Sequence, residues 1–147
     1  MMRQVVVAVG LFYKRGRYLL PKRIDDRIPE MNGKYYIPGG KVEFGESPDQ
    51  ALRREMLEEF NIIVQRDNEL IPCILSEIIH RTDIGDEHVI IVPYYCTGDM
   101  ELFSENDPHN ESHWFTRQEI ENIPESSIVL TASQILRVAG LRKASNC

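Results

Sequence analysis

The period of apolar positions changes several times along the chain, and each change predicts an element. The Val-rich run from Gln4 to Phe12 reads as a buried strand, Lys14-Arg15-Gly16-Arg17 as a hairpin turn, and Tyr18 to Pro21 as the partner strand. Asn32-Gly33 signals another turn, and Tyr35-Tyr36-Ile37 a short strand leading into Pro38-Gly39-Gly40. Leu52, Met56 and Phe60, with Ala51 beside them, then recur at helical spacing. That helix has clear ends: Ser47 as N-cap, Pro48 at the first helical position, Gln50 completing a capping box, and Asn61 where a left-handed residue is wanted. Ile71 to His80 and His88 to Cys96 read as two longer strands that pair antiparallel across the polar loop Arg81 to Glu87. A polar tract from Ser104 to Ser112 precedes Trp114-Phe115. Thr116 and Glu119 then form a second capping box, for a short helix ending before Pro124, and the last helix spans Leu130 to Leu141. Strands and helices alternate, which predicts an α/β class.

Composition narrows the class further. A chain of 147 residues supports one core and is too short for two ordinary domains, so residues 1–147 are expected to form a single domain. With 27% charged and 42% hydrophobic residues, it fits neither a disordered chain nor a membrane-embedded one. No apolar run approaches the roughly 20 residues of a spanning helix, and the first residues carry no signal-peptide pattern, so a cytoplasmic location is expected, with no membrane partner. The net charge of −6 argues against a nucleic-acid polymer as partner. Cys73, Cys96 and Cys147 are odd in number and widely spaced, which suits reduced structural thiols rather than a disulfide framework or a zinc site.

The chemistry concentrates on the first helix. Glu55, Glu58 and Glu59 stand at i, i+3 and i+4, on one helical stripe. Like charges so placed cost roughly 0.2–0.5 kcal/mol per pair, and only Arg54, four residues before Glu58, is near enough to offset them. A hard divalent cation turns that repulsion into coordination. Oxygen ligands without Cys or His favour Mg²⁺, with Mn²⁺ as substitute. Because Mg²⁺ takes few protein carboxylates and fills its other positions with water and phosphate oxygens, a phosphate-bearing substrate follows.

Gly40, five residues, Glu46, seven residues and then Arg54-Glu55-Met56-Leu57-Glu58-Glu59-Phe60-Asn61-Ile62 resembles the Nudix box, with Asn61 in place of the family's Gly. Outside residues 36–62 the likeness to small MutT-like members is loose. The resemblance implies the Nudix α/β/α sandwich with a mixed central sheet, and hydrolysis of a nucleoside diphosphate linked to a further group. By position in the box, it implies that Glu58 and Glu59 hold Mg²⁺ and that the carbonyl of Gly39 is a further ligand. It likewise implies that Glu55 lies at the metal and accepts a proton as general base, that Arg54 orients Glu55, and that Glu46 is an auxiliary ligand or a stabiliser of the helix N-terminus.

Beyond the box, the family often adds an acidic residue or a His from the loop before Trp114. Here that loop offers Asp107, His109 and Glu111, with His109 and Glu111 the candidate catalytic groups. Arg23 stands where the family commonly places a cation near the substrate phosphates, and Ser127 near the position that reads the purine in MutT. Trp114 and Phe115 are read as core. The markers of ADP-ribose and dinucleoside polyphosphate hydrolases are absent from residues 77–80. Conversion of a nucleoside triphosphate to a monophosphate and pyrophosphate is therefore the leading expectation. Hydrolysis of a nucleotide sugar, GDP-mannose-like or ADP-linked, is the alternative, suggested by Asp107-Pro108-His109, and a non-catalytic nucleotide-binding regulator comes third. Many relatives dimerise, so the resemblance also allows a homodimer.

Overall fold

A computed structural model describes residues 2–24, 29, 31–64, 69–81, 83–99 and 110–143. The chain runs through β1 (Arg3–Lys14), β2 (Arg17–Leu19), β3 (Lys22–Arg23), β4 (Gly39–Lys41), α1 (Pro48–Phe60), β5 (Ile63–Val64), β6 (Glu69–Leu70) and β7 (Leu75–Arg81). It continues through β8 (Gly85–Cys96), β9 (Gly98–Asp99), β10 (Asn110–Glu111), β11 (Trp114–Thr116), α2 (Arg117–Glu121), a 3₁₀ turn (Glu125–Ser127) and α3 (Leu130–Val138). The main sheet is mixed. Its order is β11-β2-β1-β8-β6, with β4 also pairing β1 and β7 also pairing β8, and β1 and β8 run parallel while the other pairs are antiparallel.

The alternation along β1 sends successive side chains to opposite faces, and each face meets its own helix. Ala8 and Phe12 pack with Ala51, Leu52, Met56 and Phe60 of α1. Val9 and Leu11 pack on the other side with Ile120 of α2 and with Ala132, Ile135 and Leu136 of α3. Helix, sheet and helix thus form the three layers of an α/β/α sandwich. Cys96 is buried against α1, and desolvation pushes its thiol up to about 12, as befits an inert structural cysteine.

The predicted start and end of α1 agree with the structure. Ser47 and Gln50 form the reciprocal capping box, and Asn61 adopts the left-handed conformation at φ 54°. The second box, Thr116 with Glu119, is also present. Four boundaries differ, each for a local reason. Tyr35 makes only single bridges, to Lys22 and Ile128, and the strand forms instead at Gly39–Lys41. There the backbone approaches β1 so closely that a Cβ on Gly39 would lie 1.9 Å from the carbonyl oxygen of Ala8. The predicted strand from Ile71 begins only at Leu75, because Pro72 has no amide and Cys73 N–H turns back to the carbonyl of Ile71 at 2.7 Å. Gly85, at φ 87°, tightens the predicted Arg81 to Glu87 loop, so β8 begins there and brings Glu87 into the sheet. The last helix stops at Val138, two residues before Gly140 turns left-handed at φ 78°.

Candidate active site

Helix α1 reaches the site through an Arg54 hub. Its Nε and Nη2 donate to the two oxygens of Glu46 at 2.8 and 2.9 Å, Nη1 donates to Glu55 Oε1 at 2.8 Å and to Glu58 Oε2 at 3.5 Å, and Nη2 also donates to the carbonyl of Lys41 at 3.1 Å. The sequence reading had Arg54 offsetting Glu58 and, by resemblance, orienting Glu55. In the structure it holds Glu46 as well, through a planar fork that Lys would not reproduce. These bonds, chiefly those to Glu46, push the Arg54 pKa above its usual value.

The same bonds from Arg54, aided by the amide of Glu43, hold the carboxyl of Glu46 at about 2, below its ordinary 4.5. A carboxylate depressed in the folded state stabilises the fold above its unfolded pKa, and that contribution is lost as pH falls through the folded value. The unfolding midpoint of the wild type is therefore expected to drop more steeply than that of Glu46→Gln as pH falls from about 4.5 to about 2, measured by thermal melts across that window. Parallel curves for the two proteins would show that Glu46 carries no such linkage.

Glu55 rests on Gly40, where a Cβ would come within 2.3 Å of Glu55 Cδ. Residues opposed across β1 and β4 alternate in bonding. Gly10 N–H donates to Pro38 and Val42 N–H to Val6, so the intervening positions Gly39 and Lys41 turn their carbonyls away from β1, toward the free edge of β4. Arg54 already occupies the Lys41 carbonyl there. The donor set is therefore all oxygen: carboxylates on the α1 flank and the Gly39 carbonyl on the neighbouring edge. Such a set suits a hard cation such as Mg²⁺ or Mn²⁺. Among the described residues no three His, Cys, Asp or Glu side chains are grouped as a ready metal cage. The acids converge on Arg54 rather than on one another, which suits a cation that brings most of its ligands as water and phosphate.

On the far side of β4 lies a cavity of about 250 Å³. Its floor is the sheet face bearing Val7, Val9, Val89 and Ile91, and Ile135 of α3 forms a wall together with Val129, the residue just before that helix. One end is charged. Glu87, only 2% exposed, accepts from Arg3 Nε at 2.6 Å and from Lys41 Nζ at 3.0 Å. Burial pushes the Glu87 carboxyl up, but the bonds from Lys41 and Arg3 outweigh it and hold it below the usual range. Arg23 also lines the cavity, with its guanidinium 5.6 Å from the ring centre of Tyr36.

The structure thus brings Arg54, Glu55, Glu58, Glu46 and Gly39 together around β4 and α1, and sets Arg23 in the adjoining cavity. Glu59 shares the α1 flank by its helical position. Ser127 lies in the 3₁₀ turn before α3, where its carbonyl accepts the amide of Tyr35 at 2.9 Å, and it is not among the residues that line this cavity. Thr131, four residues further along the chain, does line the cavity, as does Tyr36. Glu111 bonds His113 Nε2 at 2.7 Å, beside β3, where Asn110 pairs with Arg23. His109 and Asp107 lie outside the described residues, as does the Asp107-Pro108-His109 motif that suggested a nucleotide sugar. Trp114 packs as expected, edge-on to Phe12. Sequence reasoning missed Lys41, Glu87, Tyr36 and Thr131. Lys41, within the box, was the one signal at hand.

The chain was compared with known proteins. The family model described as NUDIX domain matches residues 1–134. Among curated relatives, the nucleoside triphosphatase NudI of Escherichia fergusonii is 29% identical over 126 residues, covering 81% of this chain and 86% of the relative. NudI of Escherichia coli K12 is 28% identical over 145 residues, covering 95% and 99%. Among solved structures, the MutT NUDIX hydrolase of Burkholderia pseudomallei superposes with a TM-score of 0.72 at 26% identity, covering 91% of this chain and 96% of that one. With the box residues gathered on one edge strand and one helix, and the family model spanning nearly the whole chain, this protein belongs to the Nudix family as a small MutT-like hydrolase.

Proposed function

We propose that the protein hydrolyses a nucleoside triphosphate to a nucleoside monophosphate and pyrophosphate, in a single domain of residues 1–147, with Mg²⁺ as cofactor and Mn²⁺ as substitute. One observation carries this reading: β4 separates the carboxylate flank of α1 from an apolar cavity, so an extended ligand laid across its edge would set phosphates on one side and a base on the other. The relatives named nucleoside triphosphatases support the same substrate class.

In this scheme Glu58, Glu59 and the Gly39 carbonyl hold the metal. When bound, the metal neutralises phosphate oxygens and makes a water easier to deprotonate. Glu55 is the base that would take the proton of the attacking water as the water oxygen bonds to phosphorus and the phosphoanhydride bond breaks, the bridging oxygen leaving with the departing phosphate group. Arg54 fixes the attitude of Glu55, and Glu46 fixes Arg54. Arg23 supplies positive charge at the cavity mouth. Glu111, on the short strand that pairs with β3, is an auxiliary acid–base group, and His109 is a further candidate by its place in the sequence. The substrate is a small nucleotide, which asks for neither a nucleic-acid polymer nor a membrane, and the reduced-thiol reading suits the cytoplasm; no helix among the described residues is long and apolar enough to cross a membrane.

The test is product identification by chromatography after incubation with Mg²⁺ and a panel of nucleoside triphosphates, ADP-ribose and GDP-sugars. Monophosphate plus pyrophosphate from a triphosphate is expected. Turnover confined to the nucleotide sugars, or release of orthophosphate and a nucleoside diphosphate, would overturn the proposal.

A further inference from the structure

Three adjacent strands are cross-linked at the charged end of the cavity by side chains that the box chemistry leaves unused. Arg3 of β1, Lys41 of β4 and Glu87 of β8 meet there, Glu87 accepting from Arg3 Nε at 2.6 Å and from Lys41 Nζ at 3.0 Å. Glu87 is 2% exposed, and a carboxylate so buried is costly unless cations pair it, so each bond it accepts is expensive to give up. Strand β4 needs such a tether. It is three residues long and, among the described residues, pairs only with β1. Short segments with few neighbours open first, and Lys41 is the last residue of β4, where the chain leaves the sheet for the loop into α1.

The backbone of Lys41 faces the chemistry. Its carbonyl accepts from Arg54 Nη2 at 3.1 Å, while Arg54 Nη1 donates to Glu55 Oε1 at 2.8 Å. Arg54 thus grips the loop at both ends, at the Lys41 carbonyl where it begins and at Glu46 just before the helix. The guanidinium is planar and rigid, so a shift of one partner turns the whole group and with it the bond to Glu55. We propose that Glu87 is a positioning residue for the hydrolysis: through Lys41 it fixes the carbonyl that holds Arg54, and through Arg54 the attitude of Glu55. This rests on the reading of Glu55 as base given above, and extends it to a residue of β8 that lies outside the box. An ion pair serving stability alone would leave the rate of the folded enzyme unchanged.

Steady-state kinetics of pyrophosphate release by the wild type, Glu87→Gln and Lys41→Met tests the proposal, at a temperature where circular dichroism shows every protein folded. Glu87→Gln removes the charge that draws Lys41, whereas Lys41→Met removes the cation and keeps the backbone carbonyl. Each is expected to lower kcat by roughly 3–10-fold, the effect of losing one bond in the series, with KM within about twofold of the wild type. In an Arg54→Lys background, where the fork is gone, Glu87→Gln should change kcat by less than about twofold, because the two substitutions break the same connection. A further loss of roughly 3–10-fold on that background would overturn the proposal, since Glu87 would then act by another route. Wild-type kcat in folded Glu87→Gln would overturn it too, as would a loss confined to KM, which would make Lys41 a substrate contact. Should Glu87→Gln fail to fold, Lys41→Met, alone and with Arg54→Lys, carries the same comparison. All these outcomes leave the proposed function standing. No turnover of any nucleoside triphosphate by the wild type would remove both.

Discussion

Replacing Glu55 by Gln is expected to lower kcat by roughly 10²–10⁴-fold, with the fold preserved. Gln has nearly the same shape, and its amide oxygen can still accept the bond that Arg54 Nη1 makes to Glu55 Oε1 at 2.8 Å. What disappears is the negative charge and the capacity to take a proton. By transition-state arithmetic the loss amounts to about 3–5 kcal/mol of barrier, more than the packing around Gly40 could supply. Glu59→Gln is expected to lower kcat over the same rough range of 10²–10⁴-fold, with a raised Mg²⁺ requirement as its distinguishing mark. Initial rates of pyrophosphate release, set beside circular dichroism melts, separate these losses from unfolding. Wild-type rates in both variants would show the roles to be misassigned.

Gly40→Ala should cost on the order of 10²-fold in kcat without touching a reacting group. The added methyl would lie 2.3 Å from Glu55 Cδ and 2.6 Å from Oε1, so one of the two must move. Gly40 cannot easily yield, because it is paired with Ala8 in the middle of β4. Glu55 is the mobile partner, and shifting a catalytic group by about 1 Å commonly costs that much rate. Gly40 does not have a positive φ, so Ala brings no backbone strain there and the melting temperature should fall by only a few degrees, about 1 kcal/mol. Retention of wild-type kcat in Gly40→Ala would mean that Glu55 works from some other position.

The parts of this architecture written in local chemistry were legible in the chain. Capping residues such as Ser47 and Gln50 act within one turn, and Asn61 needs only its own φ, so the bounds of α1 could be read before any tertiary contact was known. The strand at Gly39–Lys41 was not legible as such, since two glycines argue against a strand until one sees how near β1 lies. Arg54 shows a related limit. Helical spacing gave its neighbour Glu58, but Glu46 and the Lys41 carbonyl reach it through the folding of the loop between β4 and α1. Glu87 was read as part of a polar loop because its partners, Arg3 and Lys41, are remote in sequence. That Thr131 lines the cavity was not legible for the same reason: which residue of α3 faces a cavity depends on the sheet opposite it, and no local pattern encodes that.

Pyrophosphate release from a nucleoside triphosphate, followed after exhaustive chelation of divalent ions and again after Mg²⁺ is returned, tests most directly whether the α1 carboxylates serve a metal at a phosphoanhydride. Cleavage should fall to background in chelator and recover on titration with Mg²⁺, with Glu58→Gln and Glu59→Gln requiring higher Mg²⁺ for half-recovery. Cleavage that persists unchanged without divalent ions would contradict the assignment of these residues.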